Sequence, residues 1–466
     1  MDANLYTKID ALIEEKEEEL ISSIIRLIQI DSTEGEALPG APFGKGPREM
    51  LDTVLEMGKI DGFAVTDYCV GVVSVAMKEG QPDLGIWAHG DAVPAGDGWK
   101  FPPYQGTRYK DCIIGRGATD NKGQLVSAFL VLKILKELGV ELKYNPALYV
   151  GSNEESGMKD MKGVPGNPDA KGFVNVCTPP RLSLVPDGSF PIGYGAKGMT
   201  RFYFKSKTPL HGMTLTAGLQ DAPGLATAEL EDEQIPDALP DCQVMKGKTT
   251  KVTAFSEPCH PSRPNPDGNM ITMLTSALLG SGVVHEDDKK ILEFFREVSL
   301  DIHGAMFGID VESELMGGTI VSTRTITCDD NYPELEIRLV YPIELTHDEI
   351  VKRLTQVCEE RGFVLKENPG YHPYLRPSDT EVVTTLKEIA NAVTGEEKEP
   401  YVNGVTYAHY LPNAYIYGMQ GNRPPEDFPK GRGGAHGMDE VVSIERLKTA
   451  MKIYARALLA LNEIEW

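Results

Sequence analysis

The 466-residue chain is short of basic side chains. Its 46 lysines and arginines stand against 69 aspartates and glutamates, for a formal net charge of −23. A surface with that excess repels phosphate backbones and anionic lipids, so neither nucleic acid nor membrane is an expected partner. Cysteine is also scarce. The seven present are scattered, odd in number and without a C-x-x-C pair, which argues against a disulfide framework and a structural zinc knuckle. No apolar run is long enough to span a bilayer. The opening, "MDANLYTKIDALIEEKEEELISSIIRLIQIDST", has no basic segment leading into an apolar one and reads instead as an amphipathic helix. The expectation is a cytoplasmic protein. There is no G-x-S-x-G, so nothing supports a serine nucleophile.

What is present is length and alternation. The chain is too long for one hydrophobic core and predicts two domains. In its first part, short apolar runs ("GVVSVAM", "LGIWAHGD", "ALYVGSN", "RLSLVPDG") alternate with helical stretches such as "NKGQLVSAFLVLKILKELG", where Gly139 is a stop signal. This pattern predicts an α/β fold with a largely parallel sheet. After about Asp187 the character changes. "MTRFYFKSK" and "PELEIRLVYP" read as half-buried antiparallel strands of an α+β unit. Helix returns with "RPSDTEVVTTLKEIANAVTG", with Ser378 or Asp379 as the expected N-cap, and the tail is a long amphipathic helix. The predicted architecture is a discontinuous α/β domain, residues 1–189 and 377–466, interrupted by an inserted α+β domain, residues 190–376.

The chemistry-bearing residues share one position. His89 and Asp91 follow a strand, as do Glu154 and Glu155 in "GSNEESG" and Asp187 in "LVPDGS". Asp120 lies in a glycine-rich turn before a helix, and His436 in a glycine-rich loop before the last helix. The carboxyl ends of parallel strands form the ligand crevice of such a sheet. Five carboxylates meeting there cannot all ionise cheaply, and two divalent cations would resolve the conflict. His89 and Asp187 would hold one ion, Glu155 and His436 the other, with Asp120 shared. Mixed imidazole and carboxylate donors suit zinc, manganese or cobalt better than calcium. Asp91 would orient His89, and Glu154, left without an ion, would act as general base. Taken singly, each residue has a blander reading: a solvated turn acid, a surface histidine or a helix cap.

Together "AHGDAVPAGDGW", "GRGATDNKG", "NEESG", "PDG" and "GAHGMDE" resemble the motifs of the two-metal peptidases and amidohydrolases that include aminoacylase, carnosinase and succinyl-diaminopimelate desuccinylase. Within that group the chain looks most like the PepV-like bacterial dipeptidases, along essentially its whole length. The resemblance implies the same ligand set, Glu154 as the catalytic glutamate, and a cis peptide between Asp120 and Asn121. "CHPSRPNPDGNM" is similar to the lid segment of the family, which makes His260 the implied oxyanion stabiliser, with Asn269 beside substrate. An enlarged insert resembles the lid of monomeric members. The chain departs from the pattern twice. Val340 stands where those relatives carry an arginine, for which Arg338 on the same strand face would substitute. His409 replaces a second arginine in "NGVTYAHY", where Gly404, Thr406 and Tyr407 remain implied pocket residues.

The expected activity is hydrolysis of dipeptides with free termini by a metal-activated water. An N-acyl amino acid or diamine amidohydrolase with the same metals is the alternative within the chemistry. A non-catalytic binding protein on the same fold is the alternative outside it.

Overall fold

The computed structural model describes residues 3–218, 224–231, 235–256, 263–419 and 423–466. The chain divides into two compact units. One comprises Met1–Ala196 and Leu375–Trp466, the other Lys197–Tyr374. The fold is mixed α/β, with a parallel-containing sheet in the first unit and an antiparallel sheet in the second.

The first unit is organised by a mixed sheet. Its centre is parallel: Pro146–Gly151 pairs with Leu84–His89, which pairs with Leu182–Val185, which pairs with Ala414–Ile416. Antiparallel strands extend one side, Val72–Ala76 and then Ala64–Asp67. The central strands are buried at every position, as strands covered on both faces must be. Helix Gly123–Glu137 is also apolar nearly all round. Its Leu125, Phe129 and Leu132 share a core with Leu447, Met451 and Leu458 of the last helix, Ile444–Leu461. That helix starts beside the small sheet formed by Thr107–Tyr109, Cys112–Ile114 and Val441–Ser443.

The second unit is an eight-stranded sheet in which every described pairing is antiparallel. Strand Tyr332–Tyr341 shows why it is one-sided. Its alternate residues Leu335, Ile337, Leu339 and Tyr341 are buried, while Glu336, Arg338 and Val340 face the other way. Helices Met270–Ser281 and Glu286–Leu300 contribute Leu274, Leu278, Leu292 and Phe295 to that core.

Two local expectations change. The opening segment forms two helices, Ala3–Glu15 and Glu17–Ile28, because the backbone leaves helical geometry at Lys16 (φ −88°, ψ 13°). Helix Glu381–Thr394 is capped by Thr380, whose hydroxyl accepts from Val383 N–H, rather than by Ser378 or Asp379. All three side chains can cap, and only the backbone decides which one does. Among the described residues, no helix is long and apolar enough to cross a membrane.

Candidate metal centre and catalytic site

The parallel strands deliver the acids to one edge. His89 ends its strand, Glu154 and Glu155 lie just past Gly151, and Asp187 lies just past Val185. Asp120 comes from the turn Ala118–Lys122, where its φ of −128° and ψ of 86° break the helical run and the peptide to Asn121 is cis. His436 sits at a left-handed φ of 61°, uncommon for a residue with a Cβ, in the loop "GGAHGMDE".

These groups converge. His89 Nε2 is 3.0 Å from one Asp120 oxygen, and His436 Nε2 is 3.2 Å from the other. His436 Nε2 is also 3.0 Å from Glu155 Oε1. Donor atoms of His89, Asp120 and Asp187 lie within 4.8 Å of one another, and so do those of Asp120, Glu155 and His436. Two three-residue groups thus share Asp120.

The sequence profile of Peptidase family M20/M25/M40 matches residues 85–460. The chain belongs to this family. Membership makes it a hydrolase of the peptidase class and implies use of divalent metal. A Staphylococcus epidermidis protein named "Putative dipeptidase" is 27% identical over 96% of this chain and 98% of its own length. A protein of the same type from Staphylococcus haemolyticus is 25% identical over the same shares. The fold is similar to that of human carnosine dipeptidase 1, with a TM-score of 0.62 at 15% identity and 99% of each chain covered. It is also similar to the dipeptidase Dug1p of Saccharomyces cerevisiae, with a TM-score of 0.60 at 14% identity and 99% of each chain covered.

In this M20/M25/M40 peptidase the convergent groups are held from behind by three buried acids. The Asp91 carboxylate accepts the backbone N–H groups of Glu154 (3.1 Å) and Glu155 (3.0 Å). The nearest acceptor to His89 Nδ1 is the Asp91 carbonyl, at 3.1 Å, with its carboxylate at 3.6 Å. Asp91 therefore fixes the histidine ring and the two-glutamate turn together. Glu440 accepts from Gly117, Thr119 and Asp120 N–H, at 3.1, 2.9 and 3.1 Å, and pairs with Arg116 at 2.7 Å. Arg116 also donates to the carbonyl of His436, so one buried pair positions both the shared aspartate and the second histidine. Asp160 accepts from Ser152 and Asn153 N–H and from the Tyr407 hydroxyl at 2.6 Å. Gly151 is required there: a Cβ would lie 1.9 Å from the Tyr407 oxygen.

The charges conflict as the sequence suggests. Desolvation and the neighbouring Asp120 charge push the Asp187 carboxyl up to about 7. Desolvation, then the Asp187 charge, raises Glu154 well above the ordinary carboxylate range. Glu155 is raised by desolvation against the pull of His436. Asp120 alone goes the other way: desolvation opposes ionisation, but the two imidazoles outweigh it. His436 is pushed up to about 10 by its bonds to Asp120 and Glu155. A pocket in which acids resist ionising and imidazoles favour protonation is one short of positive charge.

The remaining predicted residues belong to both units. Tyr407 is buried with its hydroxyl on Asp160, and the Thr406 hydroxyl accepts from Ala408 N–H, so both support local structure. His409 answers the same turn through Thr406. A Cβ on Gly404 would meet nothing within 4 Å. In the second unit, Asn269 caps helix Met270–Ser281 and donates to Thr323. Arg338 has a buried Nε without a hydrogen-bond partner among the described residues; desolvation, then Arg324 and Arg201, lowers its pKa. His260 lies outside the described residues. Sequence reasoning missed Asp160, Arg116 and Glu440. Glu440 stood inside a quoted motif, and the adjacent acids Asp439 and Glu440 at a helix approach were the available signal.

Proposed function

We propose that the chain is a metallo-dipeptidase with two divalent ions, zinc or manganese with cobalt also suited. The observation that carries this reading is the position of Asp120, with one carboxylate oxygen toward each of two imidazoles and an acid group on either side. The donor set fits: imidazole and carboxylate atoms within bonding reach of a common centre, in a pocket whose acids lack countercharge. His89 and Asp187 would hold one ion, Glu155 and His436 the other, with Asp120 common to both. When bound, such ions acidify a water and polarise the scissile carbonyl.

Glu154 and Asp91 are assigned to neither ion, and the Asp91 carboxylate is taken up by the backbone N–H groups of Glu154 and Glu155. The place of Glu154 next to Glu155, with both amides held by Asp91, suits a group that takes a proton from water and returns it to the departing amine. Asp91 keeps Glu154 and Glu155 in register by holding both amides, and keeps the His89 ring turned. The discontinuous unit is the catalytic domain in this reading and the insert the lid. By the family resemblance the lid would supply His260 for the oxyanion, with Asn269 beside substrate, and Arg338 for the substrate carboxylate; Gly404, Thr406 and Tyr407 would border the pocket. The protein acts as a cytoplasmic monomer.

The test is to strip the protein with chelator, restore zinc or manganese, and compare free dipeptides with their N-acetylated forms. Cleavage of free dipeptides alone supports the reading. Preference for acylated forms makes the protein an amidohydrolase. Bound metal with no turnover on any amide makes it a binding protein.

A further inference from the structure

The second unit carries another histidine–carboxylate cluster, independent of the strand-end site. His211 precedes strand Met213–Gly218, and His285 and Asp287 sit at the start of helix Glu286–Leu300. One donor atom from each lies within 4.8 Å of the other two. The rings of His211 and His285 are stacked, with centroids 4.2 Å apart and an interplanar angle of 29°. They border a cavity of about 400 Å³, also lined by Glu231 and Asp288.

One residue separates this cluster from a chance meeting of surface side chains. Asp288 is 1% exposed, and its carboxylate accepts from both the ring and the backbone of His211. The ring bond, from Nδ1 at 2.9 Å, fixes the tautomer and leaves the Nε2 lone pair free to ligate. A carboxylate behind an imidazole is the arrangement by which proteins orient histidines toward metal. His285 is held loosely by comparison. Its Nδ1 accepts from Asp287 N–H at 3.3 Å, a long cap bond that an ion can displace. Among the described residues, the ion pair of Asp287 is with Lys290, at 3.3 Å on the surface, and such pairs are weak.

We propose that His211, His285 and Asp287 form a further site for a divalent transition ion of the zinc type, completed by water. Two imidazoles and one carboxylate exclude calcium and magnesium as preferred occupants, since those ions favour oxygen donors. The ion binds as to neutral imidazoles and tethers the approach to strand Met213–Gly218 to the start of a helix more than seventy residues later in the chain. The site is outside the proposed catalytic cluster and does not rest on that assignment.

The experiment measures zinc bound per full-length chain by equilibrium dialysis for wild type, His211→Asn and His285→Asn. Asparagine at 211 keeps a donor to Asp288, and asparagine at 285 keeps a capping acceptor, while each removes an imidazole. Each variant is expected to bind one zinc fewer than wild type. Unchanged stoichiometry in either variant overturns the site. Zinc-soaked wild-type crystals give a second measurement that needs no variant. An anomalous peak among His211, His285 and Asp287 is expected, and its absence overturns the proposal.

Discussion

The two histidine–acid clusters are built from the same side chains but supported to different depths. At the strand ends, His89 and its carboxylate neighbours rest on Asp91, Asp160 and Glu440, all buried, each gathering two or more backbone N–H groups. In the second unit, exposed His211 rests on buried Asp288, while His285 and Asp287 have a long cap bond and a surface ion pair. Depth of support decides what a cluster can do. Holding reacting atoms needs every donor fixed by a second layer, whereas tethering two segments needs only donors within reach.

Four substitutions sharpen that contrast. Glu154→Gln has the largest expected effect, a loss of turnover of about 10³-fold. Metal stoichiometry should be unchanged, checked by steady-state rates beside metal analysis; lost metal would mean Glu154 is a ligand. Glu440→Gln comes next. It leaves the Arg116 charge buried without its partner, and should lower unfolding free energy by roughly 3 kcal/mol in denaturant titration. Tyr407→Phe removes one of the three bonds to Asp160 and should destabilise by about 1 kcal/mol. A larger drop in turnover than that change explains would give the tyrosine a direct part in the reaction. His285→Asn should leave dipeptide turnover unchanged; a rate loss would join the two clusters and break the comparison.

Much of the site was legible because chemistry sat at topologically marked places. His89 closes an apolar run, Glu155 and Asp187 follow others, all of which read as strands, and Asp120 and His436 are set among glycines. The supporting layer was far less legible. Asp160 lies in "GMKDMKG", where nothing local distinguishes it from a solvated acid, and its function comes from Tyr407, far along the chain. Arg116 and Glu440 are likewise defined by each other. The fold shows the same division. Periodicity marks helix Gly123–Glu137 and the alternation of Tyr332–Tyr341. The break at Lys16 and the choice of Thr380 as cap depend on backbone angles that composition does not encode.

The Arg116–Glu440 pair also has a consequence for synthesis. A chain leaving the ribosome carries His89, Asp120, Glu155 and Asp187 long before residue 440 is made. Until then Arg116 lacks its carboxylate, the amides of Gly117, Thr119 and Asp120 lack that acceptor, and His436 does not exist. Under the proposed ligand set, hydrolytic competence therefore waits until the segment carrying His436 and Glu440 has been made.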